Sequence, residues 1–287
     1  MLFRSRDPRP QRPPLRGGVV SATLINVSGG RTSAYMLRRI LDAHGGVLPD
    51  DVFVVFANTG KERAETLDFV RDCAERWGVP IHWVERRGRA WGGQRWTEVT
   101  YDTASRDGEP FAELIIERKF PPSVVMRFCT TELKIRVMRD FMLARGFKHW
   151  TNVVGLRADE TSRVMGARAH ADRERWDIEC PLHSAGIRVE DVAAFWRAQP
   201  FDLRLQSYEG NCDLCFLKGR AKRERIMREH PEFADWWIAQ EEFVKGRFHA
   251  HEPGYAKVRD KVLRLPLLPM DLDPDGEDDS IPCTCTD

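Results

Sequence analysis

An α/β fold built on a doubly wound, mostly parallel sheet, with a C-terminal helical region that carries cysteines, is the class this sequence predicts. Three observations predict it. From residue 22 to about residue 85, strand-like apolar runs alternate with amphipathic helix-like segments, the pattern of βαβ units. The second strand, in DVFVVFANTG, is almost continuously apolar, as a strand covered on both faces should be. Two strands also run into glycine turns, Ser28-Gly29-Gly30 and Asn58-Thr59-Gly60, at the carboxyl edge where such sheets receive ligands.

The elements follow in order. ATLINV (residues 22–27) is β-branched and apolar, and Thr32 to about Ala43 is helix-compatible. After the strand in DVFVVFANTG, Leu67, Val70, Ala74 and Trp77 mark one helical face, and IHWVE is a short strand. Residues 86–110, rich in Arg, Gly, Trp and Asp, read as a long functional or mobile loop. A helix resumes near Phe111, LKIRVMRDFMLARG is an amphipathic helix, and WTNVVGL is a strand ending at Arg157. VEDVAAFWRAQ is a further helix, and RERIMREHPEFADWWIAQEEFV predicts two helices broken at Pro231. There is no internal repeat. The expected division is an arm (1–18), a nucleotide-binding α/β domain (19–205), a cysteine-pair and helical region (206–250) and a C-terminal tail (251–287).

Composition narrows the class. With 287 residues the chain can bury a large core, and 42% apolar with 31% charged residues reads as an ordinary soluble protein. No apolar stretch is long enough for a bilayer and no signal-peptide pattern opens the chain, so a cytoplasmic protein without a membrane partner is expected. The proline- and arginine-rich residues 1–18 and the acidic stretch Asp271 to Asp279 read as disordered. A net charge of +1 gives no global argument for nucleic acid. Seven cysteines in a cytosolic chain do not predict a disulfide framework. Cys73 lies on a helical stripe and reads as packing, and Cys180 as structural; Cys129, Cys212, Cys215, Cys283 and Cys285 remain for chemistry.

Ser28-Gly29-Gly30-Arg31-Thr32-Ser33 carries the first functional signal. Glycines make strand-to-helix turns in any protein. They also let backbone approach an anion, which the first helical N–H groups and the hydroxyls of Ser28, Thr32 and Ser33 would bind. This makes the stretch a candidate phosphate cradle. Cys212 and Cys215 have the C-x-x-C spacing of two ligands to one metal centre, and a dithiol redox pair shares that spacing.

Four segments in one order, SGGRTSAYM, NTGKERAETLDFV, RFCTTELKI and VVGLRADETSRV, followed by CPL and NCDLCF, resemble the phosphoadenosine phosphosulfate reductase family. That family is a branch of the PP-loop adenine-nucleotide hydrolase superfamily, which includes ATP pyrophosphatases that thiolate tRNA or phosphorothioate DNA. The resemblance covers roughly residues 20 to 245. It implies a nucleotide site, for ATP or phosphoadenosine phosphosulfate, at Ser28, Gly29, Gly30, Arg31, Thr32, Ser33, Asn58, Thr59, Gly60 and Glu62, with Glu65 following. Arg127, Cys129 and Lys134 match a Cys-Thr-x-x-x-Lys element, and Arg157, Glu160 and Arg163 match Gly-x-Arg-x-x-Glu-x-x-Arg. Lys134, Arg157 and Arg163 are the catalytic candidates, since guanidinium forks suit phosphate and sulfate oxygens. The alternative for the arginines is salt bridging with Asp159 and Glu160.

Two departures bear on the chemistry. Thr32 stands where many ATP-cleaving relatives carry Asp, which removes a carboxylate from the expected Mg2+ site. Sulfonucleotide reductases end in a Glu-Cys-Gly-type segment, whereas this chain ends in PCTCTD. The resemblance also implies a [4Fe–4S] cluster on Cys129, Cys212 and Cys215, with one iron open or with Cys283 or Cys285 as fourth ligand; zinc on the same thiols is the alternative. The function expected is ATP-dependent adenylylation coupled to sulfur transfer, with a sulfonucleotide reductase or a non-catalytic subunit of a nucleic-acid-modifying assembly as alternatives. Lys218, Arg220, Lys222, Arg223, Arg225 and Arg228 form a basic run that suits either a solvated helix face or a polyanionic substrate such as nucleic acid. Trp236 and Trp237 read as core, and a homodimer is an expected arrangement.

Overall fold

The computed structural model describes residues 22–171 and 174–264. The expected arm at 1–18 and the tail cysteines Cys283 and Cys285 lie outside the described residues. The chain opens with β1 (Ala22–Val27), α1 (Arg31–Ala43), β2 (Val52–Asn58), α2 (Ala64–Trp77) and β3 (Ile81–Arg86). Then come β4 (Trp96–Val99), α3 (Glu109–Arg118), a short α4 (Phe128–Thr130), a π-helical turn (Thr131–Ile135) and α5 (Arg136–Ala144). β5 (Trp150–Val154), α6 (Thr161–Ala171), β6 (Trp176–Glu179), α7 (Pro181–Ser184) and α8 (Val189–Arg197) complete the sheet region. α9 (Arg220–Glu229), α10 (Phe233–Val244) and α11 (Tyr255–Arg264) form the helical region.

The six strands lie in the order β4-β3-β2-β1-β5-β6, and every pairing but β3 with β4 is parallel. The predicted doubly wound α/β class is therefore observed. Alternation along each strand sorts its side chains between two faces. Ile25, Val27 and Val54 pack with Met36, Leu37 and Leu41 of α1, whereas Leu24, Val55 and Val84 pack with Val137, Met138, Phe141 and Met142 of α5. Each strand buries both sets, which is why the runs read as continuously apolar.

β1 occupies the centre because the chain first winds outward through β2 and β3, then returns to the other side of β1 through β5. Registers of Val27 with Phe56 and Asn26 with Val154 bring the ends of β1, β2 and β5 to one edge. The winding reverses between β1 and β5, and crevices in open sheets form at that reversal.

Residues 86–110 correct the loop expectation. β4 pairs antiparallel with β3, from Trp83 opposite Val99 to Arg86 opposite Trp96, and Trp96 is buried. Four residues are too few to show a period, and the flanking Arg and Gly hid the strand. α6 and β6 were also unread: α6 buries only Val164, so it carries no apolar stripe.

A second core joins the helices of the C-terminal region. Trp237 is fully buried, stacks on Tyr255 with ring centres 5.4 Å apart, and packs against Phe248 and Phe111. α3 contributes Phe111, Leu114 and Ile115 to this core. Residues 255–264, grouped with the tail on sequence grounds, instead form α11, whose Tyr255, Val258 and Val262 are buried here. α9 and α10 break around Pro231 as expected.

Gly29 has φ +89°, and a β-carbon there would stand 2.5 Å from Thr66 Cγ2 and 3.2 Å from Phe56 Cε2. Both backbone strain and overpacking oppose a side chain. Gly29→Ala is expected to cost about 2–4 kcal/mol in denaturant unfolding. Gly45→Ala, also at positive φ but with nothing within 4 Å of the added carbon, should lose only about 1 kcal/mol; equal losses would refute the packing account.

Candidate functional site

The turn between β1 and α1 is closed by its own hydroxyls. Ser33 Oγ donates to the Gly30 carbonyl at 3.0 Å, accepts the Ser28 N–H at 3.1 Å and lies 2.9 Å from Ser28 Oγ. Gly30 is the N-cap residue of α1 and supplies no side-chain cap, and no acidic residue stands in the first turn. The opening N–H groups and the positive end of the helix dipole therefore suit an anion. Thr32 and Ser33 are buried.

Two other chain segments close on this loop. From the end of β5, a β-carbon on Gly155 would lie 3.0 Å from Ser33 Cα, so glycine is what allows the strand end to approach α1. Arg157, two residues on, donates from Nη1 to Thr32 Oγ1 at 2.9 Å. Its Nε stands 3.2 Å from Asp159 and its Nη2 3.6 Å from Glu160, and Arg163 Nη1 pairs with Glu160. The anticipated salt bridging is thus present, and it aims Arg157 at the loop as well. From the other side, Asn211 Nδ2 donates to the Ser28 carbonyl at 3.0 Å. The Arg31 side chain is committed elsewhere: it grips Asp202 in a fork at 2.7 and 2.8 Å and donates to the Leu203 carbonyl.

The Asn58-Thr59-Gly60 turn is held by carboxylates. Asn58 Nδ2 donates to Glu85 Oε1 at 2.6 Å, and fully buried Glu85 also accepts the Ser105 N–H and hydroxyl. Glu62 Oε2 accepts the Thr59 N–H at 2.9 Å and the Thr59 hydroxyl at 2.8 Å. Lys134 Nζ lies 3.3 Å from Glu62 Oε1. Lys134 reaches it because the π-helical turn adds a residue to the helix, so that Leu133 and Lys134 are both buried. Glu62, expected to touch nucleotide, serves here to position the turn.

The segment bearing the cysteine pair lies directly against that turn. Glu62 and Cys212 form an antiparallel bridge, and the Arg63 and Asp213 N–H groups donate to the Asn211 and Lys61 carbonyls at 2.7 and 3.1 Å. Two buried ion pairs reinforce the contact, Lys61 with Asp213 at 2.7 Å and Arg63 with Glu209 at 2.6 Å. Cys212 and Cys215 are buried in the helical core, and Cys129 packs against the same core. The three cysteines singled out in the sequence therefore share one neighbourhood. Among the described residues, however, no group of three or more His, Cys, Asp or Glu side chains is placed to hold a metal ion. The thiols suit a soft metal or cluster in chemistry, without an assembled geometry, and neither Mg2+ nor zinc gains support. Cys73 and Cys180 belong to separate cores, and burial pushes both thiols up.

Much of the basic run after the cysteines is engaged with the protein itself. Lys218 is buried and donates to the Cys212 and Asp213 carbonyls; burial lowers its ammonium pKa, against the opposing pull of Cys215, Cys212 and Asp213. Arg223 is buried against Glu252, and Arg220 and Arg225 pair with Glu224 and Glu229 along α9. Four of its six cations are thus buried or paired within the fold. Of the tryptophans, Trp237 is core, while partly buried Trp236 packs on Phe111 and lies over Lys61.

Sequence reasoning missed Gly155, Glu85, Glu209, Asn211 and Asp213. Asn211 and Asp213 flank Cys212 and were visible as polar residues beside a motif, but their partners are about 150 residues or more away in the chain.

No family model matches the chain. It is 29% identical over 207 residues, 69% of this chain and 67% of the relative, to an uncharacterised nin region protein, ORF290, of Escherichia phage lambda. Two solved structures are similar. One is a phosphoadenylyl-sulfate reductase from Candida auris in complex with phosphate, at 16% identity and TM-score 0.39, covering 63% of this chain and 75% of that one. The other is the U34-tRNA thiolase NcsA of Methanococcus maripaludis with its [4Fe–4S] cluster, at 10% identity and TM-score 0.38, covering 86% and 74%. In this chain the glycine loop leaves the central strand of a mostly parallel sheet. Among the described residues no helix is long and apolar enough to cross a membrane.

The Lys61–Asp213 pair is open to test. Asp213→Ala leaves a buried ammonium without its partner and frees Trp237 Nε1, which donates to Asp213 at 2.8 Å. A loss of about 3–5 kcal/mol in chemical unfolding is expected. Lys61→Met with Asp213→Leu should lose clearly less, because no isolated charge remains.

Proposed function

We propose that the chain is an adenine-nucleotide-binding enzyme that adenylylates an acceptor with release of pyrophosphate and passes sulfur to it. The observation that carries this reading is the Arg157 to Thr32 hydrogen bond at 2.9 Å, which sets a permanent cation at the uncapped start of α1. In this reading Ser28, Gly29, Gly30, Thr32 and Ser33 hold phosphate oxygens, and Asn58, Thr59 and Gly60 border the adenosine. Arg157 and Arg163 offset charge that develops at the α-phosphorus, and Lys134 assists from the opposite wall. An acceptor oxygen bonds to that phosphorus as its bond to pyrophosphate breaks. Hydrosulfide then attacks the activated carbon, forming the C–S bond as the C–O bond to AMP breaks and AMP leaves. The acceptor in view is a nucleic acid or another polyanion.

Cys129, Cys212 and Cys215 would hold a [4Fe–4S] cluster, whose fourth iron would either stay open and supply a site for binding sulfur or be closed by Cys283 or Cys285. The shared packing of these three side chains supports the assignment. A sulfonucleotide reductase is the second reading, and position 32 favours it: a threonine engaged by Arg157 leaves no carboxylate there for a metal–triphosphate complex.

Two experiments test these readings. Gly30 has φ −99° and ψ 165°, which valine tolerates, so Gly30→Val should fill the cradle while the fold survives. Calorimetry should show at least a tenfold loss of nucleotide affinity, about 1.4 kcal/mol; unchanged affinity would exclude the cradle. Pyrophosphate release from ATP supports the first reading, and sulfite release from phosphoadenosine phosphosulfate without ATP cleavage supports the second. In anaerobically purified protein, serine at Cys129, Cys212 or Cys215 should lower bound iron and sulfide, and Cys73→Ala should leave both unchanged. Stoichiometric zinc without sulfide would defeat the cluster assignment.

A further inference from the structure

On the far side of the π-helical turn from Glu62 lies a cavity of about 510 Å³ that the nucleotide reading does not use. Its walls carry six arginines, Arg86, Arg89, Arg95, Arg118, Arg136 and Arg139, against three carboxylates, Glu117, Glu132 and Asp140, leaving three positive charges in excess. The carboxylates organise the cluster. Glu117 accepts Arg86 Nη2 at 2.6 Å, Arg95 Nη2 at 3.0 Å and the Arg89 N–H. Glu132 joins Arg118 and Arg136, and Asp140 pairs with Arg139 at 2.8 Å. Arg86 is only 4% exposed and is held by Glu117, so the charge open to a ligand lies on the more exposed Arg89, Arg95, Arg118 and Arg136. Like charges gathered at this density in a cleft favour an anion between them.

We propose that this cleft binds the phosphate backbone of a single-stranded segment of nucleic acid. The volume and the spread of arginines over β3, the 89–95 segment, α3 and α5 exceed what one phosphate requires. Guanidiniums bind phosphate oxygens in pairs and stack on bases. Apolar surface lies alongside: Phe120 is in the wall, 38% exposed and 5.4 Å from Phe128, and Val125 and Met126 are exposed on the segment between them. An aromatic ring in the wall among the arginines offers a face on which a base can stack, which an acidic peptide does not use. The binding stands apart from the adenylylation reading; only its purpose, presenting the acceptor, rests on that reading.

The test is fluorescence anisotropy with labelled single-stranded RNA and DNA on the full chain. Arg89→Ala with Arg136→Ala removes two exposed cations while Glu117 keeps Arg86 and Arg95, and Glu132 keeps Arg118. At about 50 mM salt the double variant should bind at least tenfold more weakly, and its log affinity against log salt slope should shrink by about 1.4 for two lost phosphate contacts. Thermal unfolding and ATP affinity should be unchanged, and Gly30→Val should bind the oligonucleotides like the unaltered chain. Undiminished oligonucleotide affinity in the folded double variant overturns the proposal, as does absence of salt-dependent binding in the unaltered chain. Polyglutamate competing as well as the oligonucleotide at equal charge would reassign the cleft to an acidic polypeptide. A chain that fails to bind ATP yet passes the oligonucleotide test defeats the nucleotide reading and leaves this one standing.

Discussion

Two buried ion pairs, Lys61 with Asp213 and Arg63 with Glu209, fix the rest of the site. Each joins the turn after β2 to the segment that opens the helical region, across about 150 residues of chain. Buried pairs are poor sources of net stability because desolvation offsets much of their attraction, but they penalise every arrangement that separates the partners. Here the penalty selects one docking of the helical core on the sheet. In that docking Asn211 reaches the Ser28 carbonyl, Cys212 lies against Glu62, and Trp237 finds its acceptor in Asp213.

The same economy runs through the glycine loop. Gly29 is required by Thr66 behind it and Gly155 by the approach of β5, so two glycines are explained by protein contacts alone. Gly30 is different: its dihedrals suit most residues, so no backbone strain requires glycine there. The cation beside the loop, Arg157, is supplied by a different strand and therefore depends on the β1–β5 register.

Much of this was legible in the sequence. Strands long enough to be apolar on both faces, helices with a buried stripe and the glycine turns all announce themselves locally. What was hidden has local reasons too. β4 and β6 are four residues each, α6 buries a single side chain, and the arginine-rich 86–110 stretch disguises an edge strand as a loop. At the candidate site, the glycine turns at Ser28 to Ser33 and Asn58 to Gly60 stood out because backbone demands leave a compositional trace. The protein partners of Glu62 and Arg31 did not, since a side chain aimed at its neighbours and one aimed at a ligand have the same letter. The basic run from Lys218 to Arg228 shows the converse: part of a charge that is conspicuous in sequence is taken up by carboxylates one helical turn away or by burial.

The arginines that keep their excess lie elsewhere, and the π-helical turn explains why two kinds of surface meet there. An ordinary helix at 131–135 would present one stripe inward. The extra residue lets Leu133 and Lys134 both face the interior, where Lys134 meets Glu62, while Glu132 and Arg136 remain on the cationic cavity. A single turn thus separates a wall of the nucleotide side from a wall of the arginine cleft, with Cys129 one turn earlier on the same helical stretch. Because the turn is anchored in the helical core through Leu133 and the next helix packs on the sheet through Val137, a ligand that orders its outer face has a short, rigid path to the Lys134 side chain and its partner Glu62.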